Sequence, residues 1–109
     1  MSIKYSNLPS KPERIFMDLI DKYHIDLEYT GNGKLIIDGF CPDFANFKKH
    51  VLVEIYGDYW HCRRDIRKRD EVRMLSYANH GWKCAVIWAS ELKKEKIIIE
   101  RLAPLHILK

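Results

Sequence analysis

Val51-Leu52-Val53-Glu54-Ile55-Tyr56-Gly57 is the stretch on which the fold turns. Its β-branched and aromatic content, closed by a glycine, predicts a strand, and a carboxylate interrupts it. Alternation along a strand puts Leu52, Glu54 and Tyr56 on one face and Val51, Val53 and Ile55 on the other. An ionised glutamate inside a sheet is costly unless a cation or several donors compensate it. Glu54 therefore marks either a solvated strand face or the rim of a cleft.

Working upstream, Lys48-Lys49-His50 reads as a polar turn and Pro42-Asp43 as extended chain, Pro42 pointing to an edge or bulge. Lys34 to Phe40 reads as a strand returning from a Gly31-Asn32-Gly33 turn, with Leu27 to Thr30 as its partner. Ser10-Lys11-Pro12-Glu13 is a capping box that opens a helix to about Tyr23. Downstream, Asp58 to Arg64 is aromatic and irregular. Ile66 to His80 is a second helix with Gly81 at its C′ position. Lys83 to Trp88 is a fourth strand, and Ser90 caps a last helix from about Glu91 to Leu102, ahead of Pro104. The order α-β-β-β-α-β with a C-terminal helix predicts an α/β sandwich around a mixed sheet, one domain over 1–109 with its core in about 10–103.

The 109 residues are 47% hydrophobic and 31% charged, which fits one modest core and excludes disorder. The net charge of +4 points towards a polyanionic partner. No apolar run is long enough for a bilayer, and the N-terminus has no signal-peptide core. Cys41, Cys62 and Cys84 have neither disulfide-framework nor zinc-ribbon spacing, so they read as reduced, mostly buried thiols of a cytoplasmic protein.

Chemistry-bearing residues gather around the central strand. Asp43 and Glu54 lie on consecutive strands across a short turn, where antiparallel pairing can bring two carboxylates together for a hard divalent cation. His61, just beyond the strand, suits proton abstraction from water, although a histidine there can equally be a packing residue. Asp70 shares a helix face with Ile66, Arg73, Met74 and Tyr77; it can pair with Arg73 or orient His61. Glu13 already has a capping role, and the helix start also places it near an open sheet edge. Arg63, Arg64, Arg67, Lys68, Arg69 and Arg73, beside Tyr59 and Trp60, suit phosphate contacts and base stacking, or form a solvated helix face.

Pro42-Asp43 followed by Glu54-Ile55-Tyr56 resembles the PD-(D/E)xK nuclease signature, with Tyr56 where lysine normally stands. Gly57-Asp58-Tyr59-Trp60-His61, with Asp70, Arg73, Gly81 and Trp82, is similar to the corresponding parts of very short patch repair (Vsr-like) endonucleases. The match runs nearest to the homing-endonuclease branch with a Glu, Asp, x, His, Asp pattern, supplied in order by Glu13, Asp43, His61 and Asp70. The resemblance covers roughly Lys11 to Leu92. It implies a restriction-endonuclease-like fold and an endodeoxyribonuclease dependent on Mg²⁺ or Mn²⁺. In it, Asp43 and a second carboxylate, Glu54, hold the metal; His61 is the base, Asp70 its orienter, and Glu13 holds water. It also implies double-stranded DNA as substrate, specificity from a separate recognition domain or a homodimer, and an intracellular, phage- or mobile-element-encoded origin. Homing and mismatch nicking both fit. The missing lysine keeps a non-catalytic nucleic-acid-binding module on the same fold open, and a protein-interaction domain is a third class.

Overall fold

Ser10 caps the first helix, α1 (Lys11–Tyr23), as the sequence predicts. The Glu13 N–H donates to the Ser10 hydroxyl at 3.3 Å, and the Ser10 N–H donates to the Glu13 carboxylate at 3.0 Å. Two otherwise orphaned donors are satisfied, and Pro12 sits in the first turn where its missing N–H does no harm. The computed structural model describes residues 8–57 and 64–109.

Four strands form one sheet in the order β1 (Glu28–Tyr29), β2 (Phe44–Asn46), β3 (Val51–Tyr56), β4 (Lys83–Trp88). The first two pairings are antiparallel and β3 runs parallel to β4, with α2 (Arg64–Asn79) in the crossover. β3 is buried along its whole length, so its alternation divides two layers. Val51, Val53 and Ile55 pack with Phe16 and Leu19 of α1 and with Ile98 and Leu102 of α3 (Glu95–Leu102). Leu52 packs on the opposite face with Ala45, Ile37 and Tyr77 of α2. The mixed α/β sandwich is as expected, with Glu54 on the α2 side.

Three expectations need correction. Lys34 to Phe40 is not a strand: it forms turns joined by a single Ile37–Phe40 bridge. Gly33, Asp38 and Gly39 all have positive φ, which breaks extended pairing. The strand that returns to β1 is β2, Tyr29 facing Phe44. The second helix begins earlier, at Arg64. The last helix is divided: a 3₁₀ turn, Ala89–Lys93, precedes α3, with Lys94 between them at φ −103° and ψ 67°. Glu91 accepts the Trp88 N–H and a two-pronged ion pair from Arg101, so Ser90 is not the cap. Cys41 and Cys84 are half-buried free thiols; Cys62 lies outside the described residues.

Gly81 ends α2 as expected. Its φ of +82° lets the Trp82 N–H reach the Tyr77 carbonyl at 3.0 Å and its own N–H reach Ala78 at 3.0 Å, a Schellman closure. A Cβ at Gly81 meets no atom within 4 Å, so the cost of substitution is conformational only. Gly81→Ala is expected to destabilise by about 1–2 kcal/mol through the left-handed backbone alone. Gly81→Asn should cost less, both read as shifts in thermal melting midpoint.

Candidate active site

The β2–β3 register pairs Phe44 with Val53, which carries Asp43 opposite Glu54 one step past the end of the ladder. There the side chains replace the missing ladder bonds. The Asp43 N–H donates to Glu54 Oε1 at 2.9 Å, and the Ile55 N–H donates to Asp43 Oδ2 at 2.8 Å. From the other side, the Thr30 and Gly31 N–H groups donate to the Asp43 carbonyl at 2.8 and 3.1 Å. The buried Thr30 hydroxyl donates to the Pro42 carbonyl at 2.7 Å. Pro42-Asp43 is thus pinned between β1 and β3.

Glu54 is fully buried, 0% exposed. Its compensation comes from α2, where Arg73 Nη1 and the Tyr77 hydroxyl each donate to Oε2 at 3.1 Å. These two donors stand four residues apart and so share a helix face. The Arg73 guanidinium also lies 5.3 Å from the centre of the Phe40 ring, a cation–π contact contributed by the 31–40 loop. With three donors and no solvent, Glu54 is committed to protein partners. Asp43 is committed at Oδ2 only; among the described residues no donor reaches Oδ1.

Electrostatics draw further residues into the same neighbourhood. Burial, then the Glu54 and Glu13 carboxylates, push the Asp43 pKa up to about 8, against the pull of the Ile55 N–H and Arg73. Burial also raises Glu54, while Arg73, the Asp43 N–H and Tyr77 oppose it. Because Glu54 has the stronger set of donors, the proton shared by this pair rests first on Asp43. Tyr29 is raised to about 12 by burial and by the Glu13 and Asp43 charges beside it. Tyr56 is raised by burial, then by Glu54 and Asp70. Glu13 of α1 and Asp70 of α2 therefore act on the two ends of the Asp43–Glu54–Tyr56 line.

Of the other residues singled out in the sequence, Tyr59, Trp60, His61 and Arg63 lie outside the described residues. Arg64, Arg67, Lys68 and Arg69 are exposed on α2, the first three lining an open hollow with Glu71. Arg73 instead turns inward to Glu54. Among the described residues no three His, Cys, Asp or Glu side chains group tightly enough to hold a metal ion by themselves. Tyr77 and Tyr29 were not foreseen as site residues. The signal for Tyr77 was its place on the Asp70 and Arg73 face; Tyr29 is brought in only by β1–β2 pairing.

Among solved structures the chain is similar to the catalytic domain of the homing endonuclease I-Bth0305I, with a TM-score of 0.66. The two share one fold. They are 20% identical, and the likeness covers 90% of this chain and 99% of the other. The fold is accordingly a restriction-endonuclease-like α/β domain. No family model and no curated protein matches the sequence. No helix among the described residues is long and apolar enough to cross a membrane.

The raised Asp43 carboxyl couples folding to pH. Between the ordinary pKa of 3.8 and the folded value of about 8, the native protein holds more proton at this site than the unfolded chain. Stability from this group therefore falls as pH rises through that window. Asp43→Asn keeps an acceptor for the Ile55 N–H and removes the charge. In metal-free buffer it is expected to melt at least about 4 °C above the parent at pH 8, roughly 1 kcal/mol. Below the ordinary pKa of 3.8, where the carboxyl is protonated in both states, the two should nearly coincide.

Proposed function

We propose that this chain is the catalytic domain of a divalent-metal-dependent endonuclease that hydrolyses phosphodiester bonds in double-stranded DNA. It would be a Vsr-like member of the PD-(D/E)xK group, of homing or mismatch-nicking type. The observation that carries the reading is the meeting of Asp43 and Glu54 at the end of the β2–β3 ladder, with the Glu13 charge added from α1. The basic outer face of α2 and the likeness in fold to a homing endonuclease catalytic domain support it.

Carboxylates crowded in a largely desolvated spot are the donor set a hard cation relieves, and among the described residues no donor occupies Asp43 Oδ1. Asp43 would hold the ion, with Glu13 beside it, directly or through water. Mg²⁺ or Mn²⁺, when bound, supplies charge that polarises the phosphodiester and stabilises the leaving oxygen. Glu54 secures the Asp43 backbone. His61 takes the proton from the attacking water, and Asp70 fixes the imidazole tautomer and stabilises its protonated form. Glu13 orients that water from the α1 side. Arg63, Arg64, Arg67, Lys68 and Arg69 contact phosphates, and Tyr59 and Trp60 stack on bases. Target choice falls to a separate recognition domain or a second copy of the chain, and the enzyme works on DNA inside the cell.

Tyr56 favours one competing reading. It stands where the signature has lysine, is buried, and cannot supply a positive charge. A non-catalytic nucleic-acid binder would have this composition. A supercoiled-plasmid assay separates the two. Mg²⁺ or Mn²⁺ should yield nicked or linear product and EDTA none. Asp43→Asn and His61→Ala should each slow cleavage by about 10²-fold or more. Parental rates in both variants would refute the nuclease reading. DNA retained in EDTA and never cut would identify a binder.

A further inference from the structure

We infer that Arg73 and Tyr77 are positioning residues, which act through the buried Glu54 to fix the Asp43 carboxylate for its cation. The inference rests on the nuclease reading for what the site does, and on geometry for how it is held. Both α2 donors converge on Glu54 Oε2, which leaves Oε1 aimed at the Asp43 N–H. The next residue along β3, Ile55, then grips Asp43 Oδ2 through its own N–H. Asp43 is therefore held twice by β3: once at its backbone through Glu54, and once at its carboxylate through Ile55. Glu54 in turn is held by α2, whose Arg73 is backed by the Phe40 ring. Glu54, the group between α2 and Asp43, is wholly buried.

The arrangement gives α2 a task that packing alone does not require. Leu52 and Ala45 already bury the Tyr77 ring, so its hydroxyl is free to serve Glu54. Arg73 and Tyr77 differ in what their loss should do. Without the Tyr77 hydroxyl, Glu54 keeps its counter-charge but loses one of two constraints on Oε2. Without Arg73, a carboxylate is left buried and uncompensated, which threatens folding itself.

The test uses Tyr77→Phe, Arg73→Lys and Arg73→Met in the chain as it stands. Mn²⁺ binding is measured by titration calorimetry without DNA, beside kcat and KM on plasmid and a thermal melt. Tyr77→Phe is expected to stay folded, to bind Mn²⁺ about tenfold more weakly, and to lose about tenfold in kcat with KM for DNA unchanged. Arg73→Lys should recover part of the Mn²⁺ affinity that Arg73→Met loses. Should Arg73→Met fail to fold, the double variant Arg73→Met with Glu54→Gln removes the buried charge; it should fold and still bind Mn²⁺ weakly. Folded Tyr77→Phe that binds Mn²⁺ and cleaves as the parent does, or that differs only in melting temperature, overturns the inference. So does a parent chain that binds no Mn²⁺. A parent that binds Mn²⁺ but cuts no DNA defeats the nuclease reading, while the Mn²⁺ comparison still decides the positioning role.

Discussion

Everything near the site follows from one constraint, a carboxylate placed at the centre of a fully buried strand. Glu54 can sit there only because α2 delivers a guanidinium and a phenol to Oε2 and the Asp43 backbone delivers an N–H to Oε1. Those demands fix how α2 lies on the sheet and where the Pro42-Asp43 segment enters β2. A buried ion pair contributes little net stability compared with an apolar pair of the same shape, yet removing one partner costs about 3–5 kcal/mol. Geometry, not stability, is what such a pair secures here.

The strand that carries this constraint was legible because its side-chain period is short and local. Alternation placed Glu54 with Leu52 and Tyr56, and the structure puts that set under α2, with the valines and Ile55 under α1 and α3. The α1 cap and the Gly81 stop were legible for the same reason: each is a local hydrogen-bonding motif with its own residue types. Lys34 to Phe40 misled because Leu35, Ile37 and an aromatic end resemble a strand. Its apolar side chains pack against α2 from a turn, and nothing in the residue type of Asp38 announces its φ of 50°. The break before α3 falls at Lys94, with neither glycine nor proline to mark it.

The candidate site was legible where it depended on sequence neighbours and obscure where it depended on pairing between distant segments. Asp43 and Glu54 could be matched because a short turn joins their strands. Tyr29 enters through a register with Phe44 across an intervening loop, and that loop was itself misread. Glu13 illustrates an overlap that sequence leaves undecided. The same carboxylate that accepts the Ser10 N–H also raises Asp43, so capping and electrostatic roles coexist.

The second helix shows why its purpose was read from charge and not from an apolar stripe. Its inward side presents Arg73 and Tyr77 to a buried acid, which spoils any hydrophobic face, while Val72 and Leu75 are exposed. Its outward first turns carry Arg64, Arg67, Lys68 and Arg69. One element thus divides its cations between two environments. Arg73 is half-buried and bound to a carboxylate, where its charge is spent within the protein. The others remain exposed to water, where their charges need no partner inside the protein. Tyr56, buried beside Glu54, adds no positive charge of its own. The first turns of α2 therefore keep at the surface the charge that Arg73, turned inward, gives to Glu54.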